Sequence, residues 1–528
     1  MRALAMRSPS SVMSCSASFG GRTFLKKMDR WYAAATRKKG SNVTSMDEIM
    51  NLCKRRGFVF EGSSIYGGMG STYDYGPLGV QLKKNLQDRW WKDFVVKRMD
   101  CMGVETPIIM NPDVWRASGH VKQFTDPLIE CKKCHKRTRA DHLLEELLSV
   151  SKTRVTSVDY SSLSSIGREL AKFESSSFPK CSNGGRCDFG APRMFNLLFR
   201  SQVGSTEDNA HEVYLRPETA QGVYVNYTQF ASAMRAQLPF GVGQCGKSFR
   251  NEITLGNFIF RTREFDQMEL QYFCESSTSS TWHEYWVDEC ESWLRDAVGL
   301  SSDRVRRDVV EKDDLAHYAL ASTDLEFKYP WGWDELWGIA NRGSYDLEKH
   351  SEASGMSCAY TPPGGSKRSA VMPHVVEPAL GLNRLLLATL VDAYDVEEST
   401  EDGGASRTVL RLEPSLAPFQ FAILPLVKKS VEMVNIAKEL CDGLASRTSV
   451  YYDEAGSIGK RYRRQDEIGT PVCVTVDSKT IEDGTVTLRA RDSMEQRRVH
   501  MGDLKGEWEA HCAAAFGLGQ GNGRAACR

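Results

Sequence analysis

The spacing of hydrophobic positions predicts a helix, a loop, a second helix and a strand in the first ordered part of the chain. Apolar residues recur periodically over residues 46–60, and the glycine-rich, aromatic stretch 66–79 predicts a loop. Residues 80–99 have helical spacing and many helix formers. Residues 104–109 predict a strand, because Pro107 is unfavourable inside a helix.

The C-terminal part of the chain predicts a small separate domain. Residues 398–406 are acidic, contain glycine and lack large apolar side chains, which indicates a linker. The apolar runs 417–427 and 471–476 predict buried strands on either side of a helical stretch at 428–444. This alternation of strands and helix is typical of a domain built on a mixed sheet.

In the middle of the chain, alternating side chains predict a polar sheet surface. If residues 244–254 and 260–272 pair as antiparallel strands around the loop 255–259, every second side chain shares a face. One face then carries Arg250, Glu252, Arg261, Arg263, Phe265, Gln267 and Glu269, and the other carries Met268, Leu270 and Tyr272. The pattern favours a site for a polyanion with a planar base and a cationic group. The alternative is a solvated surface of ion pairs.

Residues 241–248 match the phosphate-loop pattern G-x-x-x-x-G-K-S, in which backbone amides cradle phosphates. A phosphate loop requires a buried strand before it and a helix after it. Here Pro239 stands where the strand should end, and the residues after 248 alternate as in a strand. A P-loop NTPase is therefore only an alternative interpretation.

Composition excludes several classes of protein. A length of 528 residues predicts two to four domains, and 41% hydrophobic residues exclude wholesale disorder. The 68 basic and 68 acidic residues exclude a polycation, although a local basic patch can still bind nucleic acid. The 15 scattered cysteines favour a reducing compartment over a disulfide scaffold. No apolar run reaches the length of a transmembrane helix, so no membrane partner is expected.

The N-terminus differs from the rest of the chain. Residues 1–28 contain no acidic residue, five basic residues and six serines between Ser8 and Ser18, which predicts a mitochondrial or plastid transit peptide. A disordered basic tail is the alternative. Met28 and Met46 are later possible starts, so a product in the cytoplasm also stays open.

Three segments resemble the motifs of class II aminoacyl-tRNA synthetases in the right order. Residues 249–273 resemble motif 2, residues 374–384 resemble motif 3, and residues 80–107 resemble motif 1, which forms the dimer interface in that class. With residues 66–79, 216–222 and 456–471, the chain is similar to glycyl-tRNA synthetases of the homodimeric, bacterial-like type. The resemblance covers residues 46–504.

The resemblance implies an α+β fold, in which a class II antiparallel sheet with flanking helices precedes a C-terminal α/β anticodon-binding domain with a mixed sheet. The expected boundaries are a leader at 1–45, a catalytic domain at 46–400 with an insertion at about 125–200, a linker at 401–415, an anticodon-binding domain at 416–510 and a disordered tail at 511–528.

The resemblance also implies a function, the ATP-dependent attachment of glycine to tRNA(Gly) through a glycyl-adenylate. The expected partners are ATP, glycine and tRNA(Gly), Mg²⁺ is the expected cofactor, and the expected assembly is a homodimer. A non-catalytic, nucleic-acid-binding accessory protein is the alternative. Such proteins typically lack the arginines of motifs 2 and 3, whereas Arg250 and Arg384 are present as the expected catalytic residues.

Site residues follow from the same resemblance. The residues expected to bind ATP are Arg250, Asn251, Glu252, Phe260, Arg261, Thr262, Arg263, Glu264, Phe265, Glu335, Leu336, Gly381, Leu382, Asn383 and Arg384. Those expected to bind glycine are Arg139, Glu218, Phe265, Asp266, Gln267, Met268, Glu269, Glu377, Pro378, Ala379, Leu380 and Gly381. Many family members have serine where this chain has Ala379, which removes one hydroxyl from the site.

Two further clusters carry chemistry. Cys131, Cys134, Cys181 and Cys187 flank a serine-rich stretch and are candidate ligands of a structural zinc ion, with free thiols as the alternative. Lys460, Arg461, Arg463 and Arg464 surround one tyrosine, a composition that suits phosphate contacts and base stacking. Together with the family resemblance, the second cluster predicts tRNA binding; a solvated charge run is the alternative.

Overall fold

The computed structural model describes residues 45–151, 159–160, 162–204, 211–254, 256–362, 364–365, 370–398, 406–446 and 448–504. The chain divides into two compact units between Val396 and Glu397. The predicted leader and the predicted C-terminal tail lie outside the described residues. No helix in the described part of the chain is long and apolar enough to cross a membrane.

The N-terminal unit alternates helices and strands. Its helices are α1 (Met46–Arg56), α2 (Pro77–Trp91), α3 (Pro112–Ala117), α4 (His120–Gln123), α5 (Ala140–Ser151), α6 (Leu163–Leu170), α7 (Ala220–Tyr224), α8 (Tyr227–Met234), α9 (Ser279–Asp296), α10 (Tyr345–Ser354) and α11 (Leu382–Ala393). Its strands are β1 (Val59–Glu61), β2 (Tyr73–Tyr75), β3 (Cys101–Gly103), β4 (Thr125–Glu130), β5 (Arg137–Arg139), β6 (Arg193–Asn196), β7 (Phe199–Val203), β8 (His211–Leu215), β9 (Phe240–Phe249), β10 (Glu264–Cys274), β11 (Val305–Val309), β12 (Ala321–Tyr329), β13 (Gly332–Gly343) and β14 (His374–Gly381); β15 (Tyr394–Glu397) reaches the division.

A seven-stranded sheet organises the N-terminal unit. The strand order is β11-β12-β13-β14-β10-β9-β3, and every neighbouring pair is antiparallel except β3 and β9. Buried aromatic rings pack behind it: the Phe94 ring centroid lies 5.5 Å from that of Trp90 and 5.4 Å from that of Trp337. The predicted α+β class, an antiparallel sheet with flanking helices, is confirmed.

The two central strands are shorter than predicted. Strand β9 ends at Phe249 and β10 begins at Glu264, so the described residues between them, 250–254 and 256–263, belong to a loop. The loop is held by contacts with other parts of the unit, because Asn251 donates its backbone N–H to the carbonyl of Leu197 and the rings of Phe258 and Phe260 are buried. The alternation of side chains between the two faces of a strand therefore does not apply to Arg250, Glu252, Arg261 and Arg263.

The predicted strand at residues 104–109 is also displaced, because the strand is β3 at Cys101–Gly103. Beyond it, side chains satisfy the backbone: Gln244 accepts from the N–H of Thr106 at 3.0 Å, and Arg216 donates to its carbonyl at 2.7 Å. These backbone groups therefore need no hydrogen-bond partner on a neighbouring strand.

The phosphate-loop alternative is wrong. Residues 241–248 lie inside β9, where they pair with β10 over the register from Gly241–Tyr272 to Ser248–Phe265. Their backbone groups therefore belong to a sheet ladder and cannot cradle a phosphate. Lys247 forms ion pairs with Glu264 at 2.8 Å and Asp266 at 3.3 Å.

The insertion expected at about 125–200 contains a three-stranded sheet of order β5-β4-β6. Helices α5 and α6 bury Leu143, Leu144 and Ile166 against Ile129 of β4. The four candidate zinc ligands lie together beyond the end of β4.

The C-terminal unit contains β16 (Arg407–Leu410), β17 (Phe421–Pro425), α12 (Val431–Ala445), β18 (Val450–Tyr452), α13 (Ile458–Ile468), β19 (Val472–Val476), α14 (Ser478–Asp483), β20 (Thr485–Ala490) and β21 (Gln496–His500). Five of these strands form a mixed sheet of order β18-β17-β19-β20-β21, with β17 parallel to both of its neighbours. The predicted mixed sheet is confirmed. Residues 401–405 of the expected linker lie outside the described residues, and β16 makes part of the remainder a strand with Val409 and Leu410 buried.

Candidate active site

A cavity of about 290 Å³ opens on the face of the large sheet away from the Trp90 cluster. Alternate residues of β10 and β14 form its floor, and the loop 250–263 forms one wall. The lining residues are Glu218, Arg250, Glu252, Phe260, Arg261, Thr262, Phe265, Gln267, Glu269, Tyr318, Ser322, Asp324, Glu335, Leu336, Gly338, Ala340, Glu377, Ala379, Gly381, Asn383 and Arg384. Most residues predicted from the sequence to bind ATP or glycine are therefore brought into one cavity.

Nine predicted site residues do not line the cavity: Arg139, Asn251, Arg263, Glu264, Asp266, Met268, Pro378, Leu380 and Leu382. Period-two alternation explains part of the set, because Met268 and Leu380 point to the opposite, buried face. Asp266 also lies on that face and forms an ion pair with Lys83.

Two of the remaining absences, those of Arg139 and Arg263, have local causes. Arg139 forms ion pairs with Asp126 at 3.0 Å and Asp141 at 2.6 Å. Arg263 is half-buried and donates to the carbonyl of Gly70 at 3.3 Å. Neither guanidinium therefore lies in the cavity of this conformation.

Five lining residues were missed by the sequence analysis: Tyr318, Ser322, Asp324, Gly338 and Ala340. Ser322 and Asp324 alternate along β12 with the buried residues Thr323 and Leu325. This alternation was a signal for a half-exposed strand, but nothing in the local pattern assigned that strand to this sheet.

Three arginines, Arg250, Arg261 and Arg384, give one part of the cavity its positive charge. Arg250 donates to the carbonyl of Pro217 at 3.1 Å, and its guanidinium lies 5.4 Å from the ring centroids of both Phe124 and Phe265. Arg384 lies 4.2 Å from the ring centroid of Phe260 and forms a 3.0 Å ion pair with Glu335. These contacts orient the guanidinium groups of Arg250 and Arg384 while leaving their remaining donors available for an anion.

Three carboxylates, those of Glu218, Glu269 and Glu377, give another part of the cavity its negative charge. Arg342 is buried among them and donates to Glu377 at 2.7 Å and to Asp346 at 2.8 and 3.1 Å. Its distance to Glu218 is 3.7 Å. Glu269 instead accepts a hydrogen bond from the hydroxyl of Thr219. The single positive charge of Arg342 therefore faces several carboxylates and cannot neutralise all of them.

The pKa values of the three carboxylates are shifted in different directions by this arrangement. Burial and the neighbouring Glu377 and Glu218 raise the pKa of Glu269 to about 8. Burial also raises the pKa of Glu377, which Arg342 offsets only in part. Although burial favours the protonated form of Glu218, His120 and Arg342 hold its pKa well below the usual range. The site therefore carries a proton on Glu269 near neutral pH.

Two further carboxylates, those of Asp324 and Glu335, lie near Arg384. A Cβ atom added at Gly338 would lie 3.4 Å from an oxygen of Glu335 and 3.5 Å from an oxygen of Asp324, so the two carboxylates converge over this glycine. Burial and Glu335 raise the pKa of Asp324 to about 7, whereas Arg384 lowers the pKa of Glu335. Carboxylate oxygens that converge in this way are the kind of ligand that a hard divalent cation prefers.

The four cysteines of the insertion form a compact cluster. The Sγ atoms of Cys131, Cys134, Cys181 and Cys187 all lie within 4.8 Å of one another. Three of the residues are buried, and Cys134 is half-buried. Four thiols at this spacing fit a closed tetrahedral site.

The basic cluster of the C-terminal unit is less open than its sequence indicates. All four cations lie on α13, but Arg461 is buried and donates to the carbonyls of Pro425 and Gly456. Arg464 forms a 2.7 Å ion pair with Asp453. The prediction that Arg461 contacts nucleic acid is therefore wrong. Lys460 and Arg463 remain exposed.

Comparisons with known proteins agree with this architecture. Residues 199–394 match the class II tRNA synthetase core domain (G, H, P, S and T), and residues 420–510 match an anticodon binding domain. The glycine–tRNA ligase of Geobacillus thermodenitrificans is 48% identical over 461 residues, covering 87% of this chain and 96% of the relative. That of Clostridium acetobutylicum is 48% identical over 461 residues, covering 87% and 97%.

A solved structure shares the fold. Prolyl-tRNA synthetase from Cryptosporidium parvum, in complex with L-proline and AMP, aligns with a TM-score of 0.55 at 14% identity. The alignment covers 89% of this chain and 80% of that chain. At this identity the likeness concerns the fold alone.

Proposed function

The chain belongs to the glycine–tRNA ligase family of class II synthetases, and we propose how its cavity attaches glycine to tRNA(Gly) at the expense of ATP. The observation that carries this proposal is the division of charge in one cavity. Arg250 and Arg384 can hold phosphates, while Glu218, Glu269 and Glu377 can hold an ammonium group. ATP and glycine together present those two charges.

ATP occupies the arginine-lined part of the cavity in this proposal. Arg250 holds the α-phosphate and Arg384 the γ-phosphate, because a guanidinium binds phosphate oxygens bidentately and stays charged. Phe265 stacks on the adenine. Glu335 and Asp324 hold the Mg²⁺ that accompanies ATP, and the ion supplies neutralisation of phosphate charge.

Glycine occupies the acidic part of the cavity. Its ammonium is held by Glu218, Glu269 and Glu377, and we expect the walls of this part of the cavity to exclude a larger side chain. An apolar pocket that prefers a larger ligand gains only roughly 1–3 kcal/mol per extra methylene. The energy of a steric clash with a larger amino acid has no such limit. We therefore expect selection of the smallest amino acid without a separate editing site.

The reaction then proceeds in two displacements. A carboxylate oxygen of glycine attacks the α-phosphorus of ATP, an O–P bond forms, the bond from the α-phosphorus to the bridging oxygen breaks, and pyrophosphate leaves. A hydroxyl of the tRNA 3′-terminal adenosine next attacks the glycyl carbonyl carbon, an ester C–O bond forms, the C–O bond to the phosphate breaks, and AMP leaves, with the hydroxyl proton passing to its phosphate. Positioning and charge neutralisation by Arg250 and Arg384 supply the catalysis, so the first step needs no general base.

Replacing Arg250 tests this assignment. We expect Arg250→Ala to lower glycine-dependent ATP–pyrophosphate exchange by about 10²–10³-fold, because a donor to the reacting phosphate is lost. Arg263→Ala is the matched control, since this loop arginine lies outside the cavity and exchange should be preserved. Release of ADP in place of AMP, or equal loss in both variants, would contradict the assignment.

The C-terminal unit binds tRNA(Gly) in this proposal, with Lys460 and Arg463 of α13 contacting the phosphates of the anticodon stem. In the same assays the double variant Lys460→Ala, Arg463→Ala should leave exchange unchanged and raise the KM for tRNA. Loss of exchange in this variant would show that the cluster affects the catalytic unit.

The proton on Glu269 predicts a pH dependence of glycine binding. Because its pKa is raised to about 8, the carboxylate must lose a proton before it can pair with the ammonium. The KM for glycine in the exchange assay should therefore rise about fivefold as the pH falls from 8 to 7. Glu269→Gln should bind glycine weakly and lose this slope. A glycine KM that is independent of pH in the unmodified protein would refute the prediction.

We propose that Cys131, Cys134, Cys181 and Cys187 hold one structural zinc ion, which cross-links both ends of the insertion. Elemental analysis of the purified protein should give one zinc per chain, and Cys134→Ser should lower both the zinc content and the thermal stability. Cys290→Ser, which changes a buried cysteine outside the cluster, should keep the metal. A metal-free protein with four titratable thiols in the insertion would contradict the proposal.

We also propose that the chain forms a homodimer through residues 80–107. The exposed side chains of Val80, Val96 and Met99 on this segment support a protein contact. Sedimentation equilibrium should give about twice the mass of one chain, and Met99→Asp should shift the equilibrium toward the monomer.

Targeting to a mitochondrion or plastid is proposed from the basic, serine-rich composition of residues 1–28, which lie outside the described residues. A fluorescent reporter fused after residue 44 should enter the organelle, whereas a fusion that begins at Met46 should stay in the cytoplasm. A reporter that remains cytoplasmic in both fusions would refute the proposal.

A further inference from the structure

The short segment between α3 and α4 lies outside every recognised motif. It packs behind the side chains that line the proposed glycine pocket. Helices α3 and α4 are joined at Ser118 and Gly119, and Gly119 has a φ of +87°. This left-handed conformation favours glycine and sets His120 as the first residue of α4. His120 is only 9% exposed and does not line the cavity.

His120 connects two polar partners across its ring. Its Nε2 atom lies 3.4 Å from Oε2 of Glu218, and its Nδ1 atom lies 2.8 Å from the hydroxyl of Ser118. Trp115 and Phe124 pack against the ring, each with a centroid distance of 5.5 Å. The ring therefore has a fixed orientation and both of its nitrogens have partners.

The Ser118 hydroxyl lies within reach of two acceptors, Nδ1 of His120 at 2.8 Å and the carbonyl of Trp115 at 3.4 Å, and the shorter contact favours donation to Nδ1. When this hydroxyl donates to Nδ1, the neutral ring carries its proton on Nε2, which then faces the carboxylate. When the ring is protonated, Nε2 still carries a proton. In both of these forms the proton is on Nε2, the ring nitrogen that lies 3.4 Å from Oε2 of Glu218.

The remaining contacts of Glu218 come from other elements. Its Oε1 atom accepts from Gln221 of α7 at 2.8 Å and lies 3.7 Å from Arg342 of β13. His120 is the partner on the Oε2 side, so the two oxygens are held by different parts of the fold.

We infer that His120 is a positioning residue for glycine: it orients the Glu218 carboxylate toward the ammonium group, with Ser118 fixing its ring. This inference rests on the proposed role of Glu218 in binding glycine. Contacts that orient a ligating side chain are commonly worth about 10–100-fold in affinity.

The test compares three substitutions at one position. His120→Ala should raise the KM for glycine in ATP–pyrophosphate exchange about tenfold while the KM for ATP and kcat change little. His120→Gln can place an amide N–H near the position of Nε2 and should restore most of the affinity. His120→Asn places its amide near the position of Nδ1 and should not.

A matched control separates positioning from packing. His283 is likewise 9% exposed, lies in the same unit and contacts the carbonyl of Ile339 at 3.0 Å, so His283→Ala should leave the glycine KM unchanged. If Gln and Asn at position 120 behaved alike, or if all KM values rose together, the positioning role would be overturned. If Glu218→Gln itself left the glycine KM unchanged, the proposed glycine site would fail first.

Discussion

The buried guanidinium of Arg342 is the interaction on which the acidic part of the cavity depends. It contacts carboxylates from three other parts of the fold: Glu377 of β14, Asp346 of α10 and Glu218 before α7. Tyr318 covers it, with the ring centroid 3.9 Å from the guanidinium carbon. Removing one member of such a buried network typically costs about 3–5 kcal/mol, because the remaining charges lose their partner. The same contacts therefore connect β13 with β14 and α10 and set the charge of the pocket.

Sequence alternation predicted the floor of the cavity because it is a local property of a strand. Phe265, Gln267 and Glu269 share the cavity face of β10, and Met268 points away, as period two requires. The same rule failed for Arg263, because it lies in a loop whose course depends on distant contacts. No local pattern reports that Phe260 is buried beneath Arg384.

Pairings between distant segments explain the other differences. Asp324 and Glu335 approach each other only because β12 pairs with β13, and their separation in the sequence does not reveal it. In the sequence, Arg461 stands in a run of cations and looks like a nucleic-acid contact. In the structure its guanidinium donates to the carbonyls of Pro425 and Gly456. The class II motifs predicted the fold and most of the site, whereas the partners of individual charged side chains required the tertiary structure.

The acidic part of the cavity has more negative charge than stability alone would favour. Apolar side chains of similar volume commonly stabilise a fold as well as or better than buried ions do. Arg342 and His120 keep Glu218 ionised, while Glu269 avoids part of the repulsion by keeping a proton. A ligand with an ammonium group can displace that proton and complete the charge balance, and an apolar ligand of the same size cannot. Discrimination by charge is therefore a property of the folded electrostatics, and the walls of the pocket have to discriminate only by size.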